Sequence, residues 1–202
     1  MGQEIQSTLH FNGKTSRGKA LLESKEILFH GDIRLKIPFV EISKLEVKNG
    51  DLHVRTKDGL VVLALGPKAE QWRHKIRHPK SLTEKLGVKA GETAAVLGTM
   101  PASFLAELTD TGVKTTKGKV TVTFPWIFLA AESLADLDKL KAIRDSMGPT
   151  AGVWIVYPKG VKTITENDVR GIGLRAGLVD VKVASFSQTH TALKFVIPKD
   201  KR

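Results

Sequence analysis

An unbroken apolar run, Val153-Trp-Ile-Val-Tyr157, constrains the fold of this chain more than any other stretch. It is entered through Gly152 and closed by Pro158, Lys159 and Gly160. A run without polar alternation is the pattern of a strand buried on both faces. Helical patterns flank it, so a parallel sheet with crossover helices is expected, and residues 79–202 should layer around it as an α/β domain.

The chain has 202 residues, enough for one large or two small domains. It contains no cysteine, which removes disulfides, thiol nucleophiles and cysteine-bound zinc together. This agrees with a cytoplasmic location. The opening MGQEIQSTLHF has no apolar core, so no secretory leader is expected, and no apolar run approaches the roughly 20 residues of a membrane span. Net charge is +11, divided as +6 over residues 1–80 and +5 over 81–202. Such a field favours polyanions in general, and it equally serves solubility.

Residues 1–78 alternate with a period of two. Leu35, Ile37 and Phe39 are separated by charged or turn residues, and Leu45-Glu-Val-Lys48 and Leu52-His-Val-Arg-Thr56 repeat the pattern. Antiparallel strands with one wet face read this way. Asn49-Gly50 and Asp58-Gly59 supply tight hairpins, and Gly31-Asp32 a further turn. Earlier strands are expected at Thr8–Asn12 and Lys19–Glu23. Gly66-Pro67 then opens a helix on which Ala69, Trp72 and Ile76 form one stripe, ended by Pro79. A strand meander closed by one amphipathic helix resembles the pleckstrin-homology-like superfold in a small bacterial form. The resemblance implies that the loop Asn12–Lys19 is where basic residues would meet an anion, which makes Lys14, Arg17 and Lys19 candidates. A solvated hairpin tip explains the same residues. Gly13-Lys-Thr15 is no P-loop, because Thr8 stands where that motif needs glycine. His74 and His78 have metal-ligand spacing, but Arg73, Lys75 and Arg77 surround them, so no metal is expected.

From residue 79 the period changes. Ser81-Leu-Thr-Glu84 has capping-box spacing. Strands are expected at Thr93–Leu97, Val113–Thr116, Trp126–Ala130, Val179–Phe186 and Ala192–Ile197, besides the apolar run itself. Helices are expected after Pro101, Ser133 and Thr165, the last with Val169, Ile172 and Ala176 as its buried stripe. The final two strands should pair antiparallel around Gln188-Thr-His190. Trp72, Trp126 and Trp154 are assigned to core.

This order resembles the class I methyltransferase-like Rossmann fold. The phrases Val153-Trp-Ile-Val-Tyr-Pro-Lys-Gly160, Ile164-Thr-Glu-Asn-Asp168 and Ala176-Gly-Leu-Val-Asp-Val-Lys182 carry a closer similarity to an uncharacterised bacterial family of truncated methyltransferase-like domains. The resemblance implies a methyl-donor site, and three features depart from it. The first turn, Val96-Leu-Gly-Thr-Met-Pro101, has one glycine. Val113-Lys-Thr-Thr-Lys117 offers no carboxylate for ribose hydroxyls. The chain before Trp126 is too short for a crossover helix.

Ligands of open α/β sheets favour the carboxyl ends of the strands. That rule selects Gly98, Thr99 and Met100, then Glu132 and Ser133, then Pro158, Lys159 and Gly160. Caps and turns explain the same residues, and His190 is either a base joining them or a hairpin-tip residue. No catalytic set stands out, and no cofactor is expected. The resulting expectation is a two-domain protein, 1–78 and 79–202, that is a non-catalytic binding or scaffold protein with a degenerate methyltransferase-like domain. The alternative is a divergent S-adenosylmethionine-dependent methyltransferase or other small-molecule enzyme. A second alternative is nucleic-acid or anionic-surface binding through basic patches. The partner, protein or anionic ligand, is unidentified by sequence.

Overall fold

The first hairpin is set by Asn12-Gly13, whose positive φ values of 49° and 74° give a two-residue turn. In the computed structural model, which describes residues 3–202, it joins β1 (Gln3–Phe11) to β2 (Lys14–Leu22). The expected loop Asn12–Lys19 is therefore almost all strand. Asn49-Gly50 repeats the device, with φ of 53° and 84°. The remaining strands are β3 (Glu26–Gly31), β4 (Arg34–Pro38), β5 (Lys44–Lys48), β6 (Asp51–Thr56) and β7 (Gly59–Ala64). They form one antiparallel sheet in the order β4-β3-β2-β1-β7-β6-β5.

Its inner face buries Leu9, Phe29, Leu52, Val54 and Leu63. Helix α1 (Ala69–Arg77) covers them with Ala69, Trp72 and Ile76, the stripe its spacing predicts. Arg77 ties the helix end down by donating to the Leu45 carbonyl at 2.8 Å. The chain divides into two compact units, one up to Lys80 and one from Ser81 to Arg202.

The second unit starts with α2 (Leu82–Leu86), whose Ser81–Glu84 capping box forms in both directions. Then come β8 (Thr93–Leu97), α3 (Ala102–Asp110), β9 (Lys114–Lys117) and β10 (Trp126–Ala130). A short 3₁₀ turn leads into α4 (Leu140–Ser146), followed by β11 (Gly152–Pro158), α5 (Glu166–Arg175), β12 (Val179–Ser185) and β13 (His190–Val196). The sheet order is β12-β13-β11-β10-β8-β9.

The apolar run is central, as its pattern requires: every residue from Gly152 to Tyr157 is buried. It pairs in parallel with β10 but antiparallel with β13, so the sheet is mixed. One face, with Ile127, Leu129, Val153, Ile155 and Phe195, packs residues of α4 and α5 such as Ile143 and Val169. The other, with Phe128, Trp154 and Val156, packs Leu86, Phe104 and Leu108 of α2 and α3. These are the three layers of an α/β unit. Among the described residues no strand lies beyond β9, and no helix covers residues 118–125. No described helix is long and apolar enough to cross a membrane.

Candidate functional site

The strand order reverses at β8, which has β9 on one side and β10 on the other. In open α/β sheets the crevice at the carboxyl ends beside such a reversal is where ligands bind. Gly98 turns the chain there, with φ +77°. A Cβ on it would stand 2.9 Å from the Ala130 carbonyl oxygen, so glycine lets the end of β8 press against the end of β10. Thr99 follows in the turn. Met100 does not line the crevice, because it is buried in the core with Phe104 and Leu108. Pro101, not Thr99, precedes the first residue of α3.

Ser133 caps the turn after β10, and its anion position is already filled. The Asp136 carboxylate accepts from Glu132 N at 3.1 Å, Ser133 N at 3.2 Å and Ser133 Oγ at 3.1 Å. Burial raises the Asp136 pKa, but these hydrogen bonds and Lys139 outweigh it and hold the group below the ordinary carboxylate range. An external anion has no place there.

Glu132 itself points elsewhere. Its Oε1 lies 3.3 Å from His190 Nε2, across 58 residues of sequence. His190 is the first residue of β13, opposite Pro158 at the end of β11. Because β13 runs antiparallel, its amino end meets the carboxyl ends of β10 and β11. The imidazole is oriented from its other side by Thr189 Oγ1, 2.9 Å from Nδ1.

Lys159 holds the turn that carries this histidine. Its backbone N–H donates to Thr189 O at 2.8 Å, and its ammonium donates to Ser187 O at 2.6 Å and Ser185 Oγ at 3.1 Å. Gly160, at φ +69°, ends the same segment. A carboxylate that accepts from Nε2–H leaves Nδ1 as the basic nitrogen, and Thr189 Oγ1 is the group beside it. The Glu132 side chain is 68% exposed and that of His190 25%, so the pair is open to solvent. Sequence reading placed Glu132, Pro158 and Lys159 at this edge. It left His190 undecided, since only the insertion of β13 beside β11 brings it to Glu132.

In the first unit, Lys14, Arg17 and Lys19 lie along β2 and do not converge. Arg17 and Lys19 share one side of the strand and Lys14 takes the other, by the two-residue period. Lys19 pairs with Glu4 at 3.1 Å. Arg17 borders an open concavity of about 300 Å³ with Gln6, Ser7, Thr8, Gly18 and Ala64. The His74 and His78 ring centroids lie 4.9 Å apart with the rings tilted by 42°, and no group of three metal-ligating side chains occurs among the described residues. Trp72 and Trp154 are fully buried, whereas Trp126 is half-buried at the start of β10.

No family model matches this chain, and no curated protein matches it in sequence. Solved structures are similar to it in part. One is a SAM-dependent methyltransferase from Aquifex aeolicus, 18% identical, spanning 58% of this chain and 88% of that one with a TM-score of 0.45. Another is a methyltransferase from Pyrococcus furiosus, 16% identical, spanning 56% of this chain and 78% of that one with a TM-score of 0.41. A third is the C-terminal domain of an unknown protein from Leishmania infantum, 14% identical, spanning 34% and 72% with a TM-score of 0.29. The expectation of a non-catalytic scaffold with a degenerate domain is corrected: two of these partial neighbours are named as methyltransferases, and none of the three is named as a scaffold or binding protein.

Proposed function

We propose that the second unit is a small-molecule enzyme of divergent S-adenosylmethionine-dependent methyltransferase type. The Glu132–His190 contact at the carboxyl edge of β10 and β11 carries this reading. In it, His190 takes a proton at Nδ1 from a heteroatom of the acceptor substrate, which replaces the Thr189 hydroxyl there, while Nε2–H stays on Glu132. Glu132 stabilises the imidazolium that forms, and Lys159 positions the Ser185–Thr189 turn. The reacting groups approach between this pair and the Gly98 turn.

The methyl donor of the fold family lacks one of its usual holders here. Lys114–Lys117 are lysines and threonines where a carboxylate would take the ribose hydroxyls. The residues therefore reproduce the family's donor site only in part. We read the whole chain as a cytoplasmic bacterial protein of two domains, 1–78 and 79–202, the first pleckstrin-homology-like. The absence of cysteine and the meander closed by α1 support that reading.

The test is calorimetric titration with S-adenosylmethionine, followed by methyl-transfer assays on phenol, carboxylate and amine acceptors. Binding heat, together with turnover that falls at least 100-fold in His190→Ala and less in Glu132→Gln, is expected. No heat at protein concentrations that would register weak binding would remove the methyltransferase assignment. Turnover indifferent to His190→Ala would remove the proton acceptor.

A further inference from the structure

A register irregularity in the last hairpin places two lysines face to face. β12 and β13 pair Val179 with Val196 and Asp180 with Phe195, and then Lys182, not Val181, faces Lys194. Val181 is the extra residue of a β-bulge. Had the register continued, Val181 would oppose Lys194. Lys182 would then oppose Leu193, which is fully buried in the core shared with α4 and α5. The bulge turns Lys182 to the other side of the sheet. Bulges on edge strands commonly re-aim a side chain in this way.

Directly opposed like charges destabilise a strand pair, since their Cβ atoms stand only about 4.5–5.5 Å apart. Nothing in the unit neutralises these two. Among the described residues neither forms an ion pair. Asp180 is engaged by Arg170. Glu92 Oε2 accepts from Trp126 Nε1 at 2.5 Å and from Lys89 N at 2.8 Å. One N–H of the Lys182 ammonium goes to the Lys85 carbonyl at 2.6 Å, which leaves its other donors.

The Lys194 stem crosses Gly152, where a Cβ would meet its Cε at 2.7 Å, and its ammonium sits 4.4 Å above the Trp126 ring. Lys182 lies 5.9 Å from the Trp154 ring. Burial, and then the charge of Lys182, hold the Lys194 pKa below its ordinary value. A half-buried Lys194 ammonium beside the exposed Lys182 ammonium, each close to an indole ring, is an arrangement that an anion between them would make favourable.

We propose that the Lys182–Lys194 pair is a binding site for a phosphate group. The site is separate from the Glu132–His190 edge. Trp126 and Gly152 begin β10 and β11, so it belongs to the amino ends of the parallel strands. A phosphate carries the two negative charges that the pair lacks, and ammonium groups take phosphate as point charges without a planar fork.

The test is thermal melting of the full chain in inorganic phosphate against sodium chloride at equal ionic strength, with methyl phosphate as a parallel arm. Phosphate at several times its dissociation constant should raise the melting temperature by about 2–4 °C. Lys194→Met, which keeps the aliphatic stem, should abolish the rise, and Lys194→Arg should keep most of it. Lys182→Met provides the same comparison if Lys194→Met does not fold. A larger rise with methyl phosphate assigns the site to an organic phosphate, and equal rises assign it to free phosphate. An equal rise in chloride, or a full phosphate response in both methionine variants, would overturn the proposal.

Discussion

Gly98→Ala tests the claim that β8 and β10 meet through a close backbone approach. Two penalties act together. An L-residue at φ +77° costs about 1–2 kcal/mol. The added methyl also meets the Ala130 oxygen at 2.9 Å and the Ala130 Cβ at 3.1 Å. That carbonyl has little freedom, since Ala130 pairs with Val156 in the ladder and Ala131 N donates to Val156 O at 2.9 Å. Forcing a methyl into such packing costs about 1–3 kcal/mol. The stiffer unfolded chain returns about 0.4–1 kcal/mol. The net loss is about 1–5 kcal/mol, centred near 3 kcal/mol.

Gly91→Ala supplies the control. Its φ of +78° matches, but nothing lies within 4 Å of the added methyl. Strain and unfolded-state terms cancel between the two variants, so their difference isolates the contact with β10, about 1–3 kcal/mol. Urea melts followed by tryptophan fluorescence measure both, because Trp126 and Trp154 lie in this unit. Equal losses for Gly98→Ala and Gly91→Ala would refute the close approach and leave only the left-handed turn.

Further outcomes follow from other contacts. Ser81→Ala removes the acceptor for Glu84 N and should cost about 1 kcal/mol in the same melts. Trp154→Phe should cost about 2–3 kcal/mol, because it strands the Leu86 carbonyl that accepts from Trp154 Nε1 at 3.1 Å in a fully buried position. Hydrogen bonds from Thr165 hold the Asp168 pKa below its ordinary 3.8. The unfolded chain binds that proton first, so this contribution is complete above pH 3.8 and disappears as pH falls through the lowered folded value. Acid melts of Asp168→Asn should therefore show a shallower pH dependence in that window than the parent.

Local signals in the sequence carried far. The pairs Ser81/Glu84, Ser133/Asp136 and Thr165/Asp168 announce helix or turn starts, because a cap is a contact between neighbours in the chain. The apolar run announced its own burial for a similar reason: a strand covered on both faces tolerates no polar residue. Asn12-Gly13 was equally local, yet the basic residues after it suggested a loop. The structure shows that lysine and arginine at Lys14, Arg17 and Lys19 serve as strand residues.

What stayed hidden depends on pairing. The antiparallel entry of β13 between β11 and β12 is a choice of neighbour, and no residue type within β13 encodes it. The Glu132–His190 contact inherits that choice. The encounter of Lys182 with Lys194 lies within the β12–β13 pair that the sequence indicated, but its register needs one bulged residue in a strand whose composition shows no break.

The sheet of the first unit has a consequence for the order in which it assembles. β1 to β4 form one run of sequential hairpins, and β5 to β7 form another. Among the described residues the two runs pair as strands only where β1 meets β7, through Leu9↔Leu63, His10↔Val62 and Phe11↔Val61. Each run can zip locally, but this seam must close a loop of about fifty residues before it gains anything, and such closures are slow. It is thus the natural last step of assembly and the first line along which the sheet parts. Amide exchange at this seam would then report the opening of the two halves from each other, distinct from fraying at the outer edges β4 and β5.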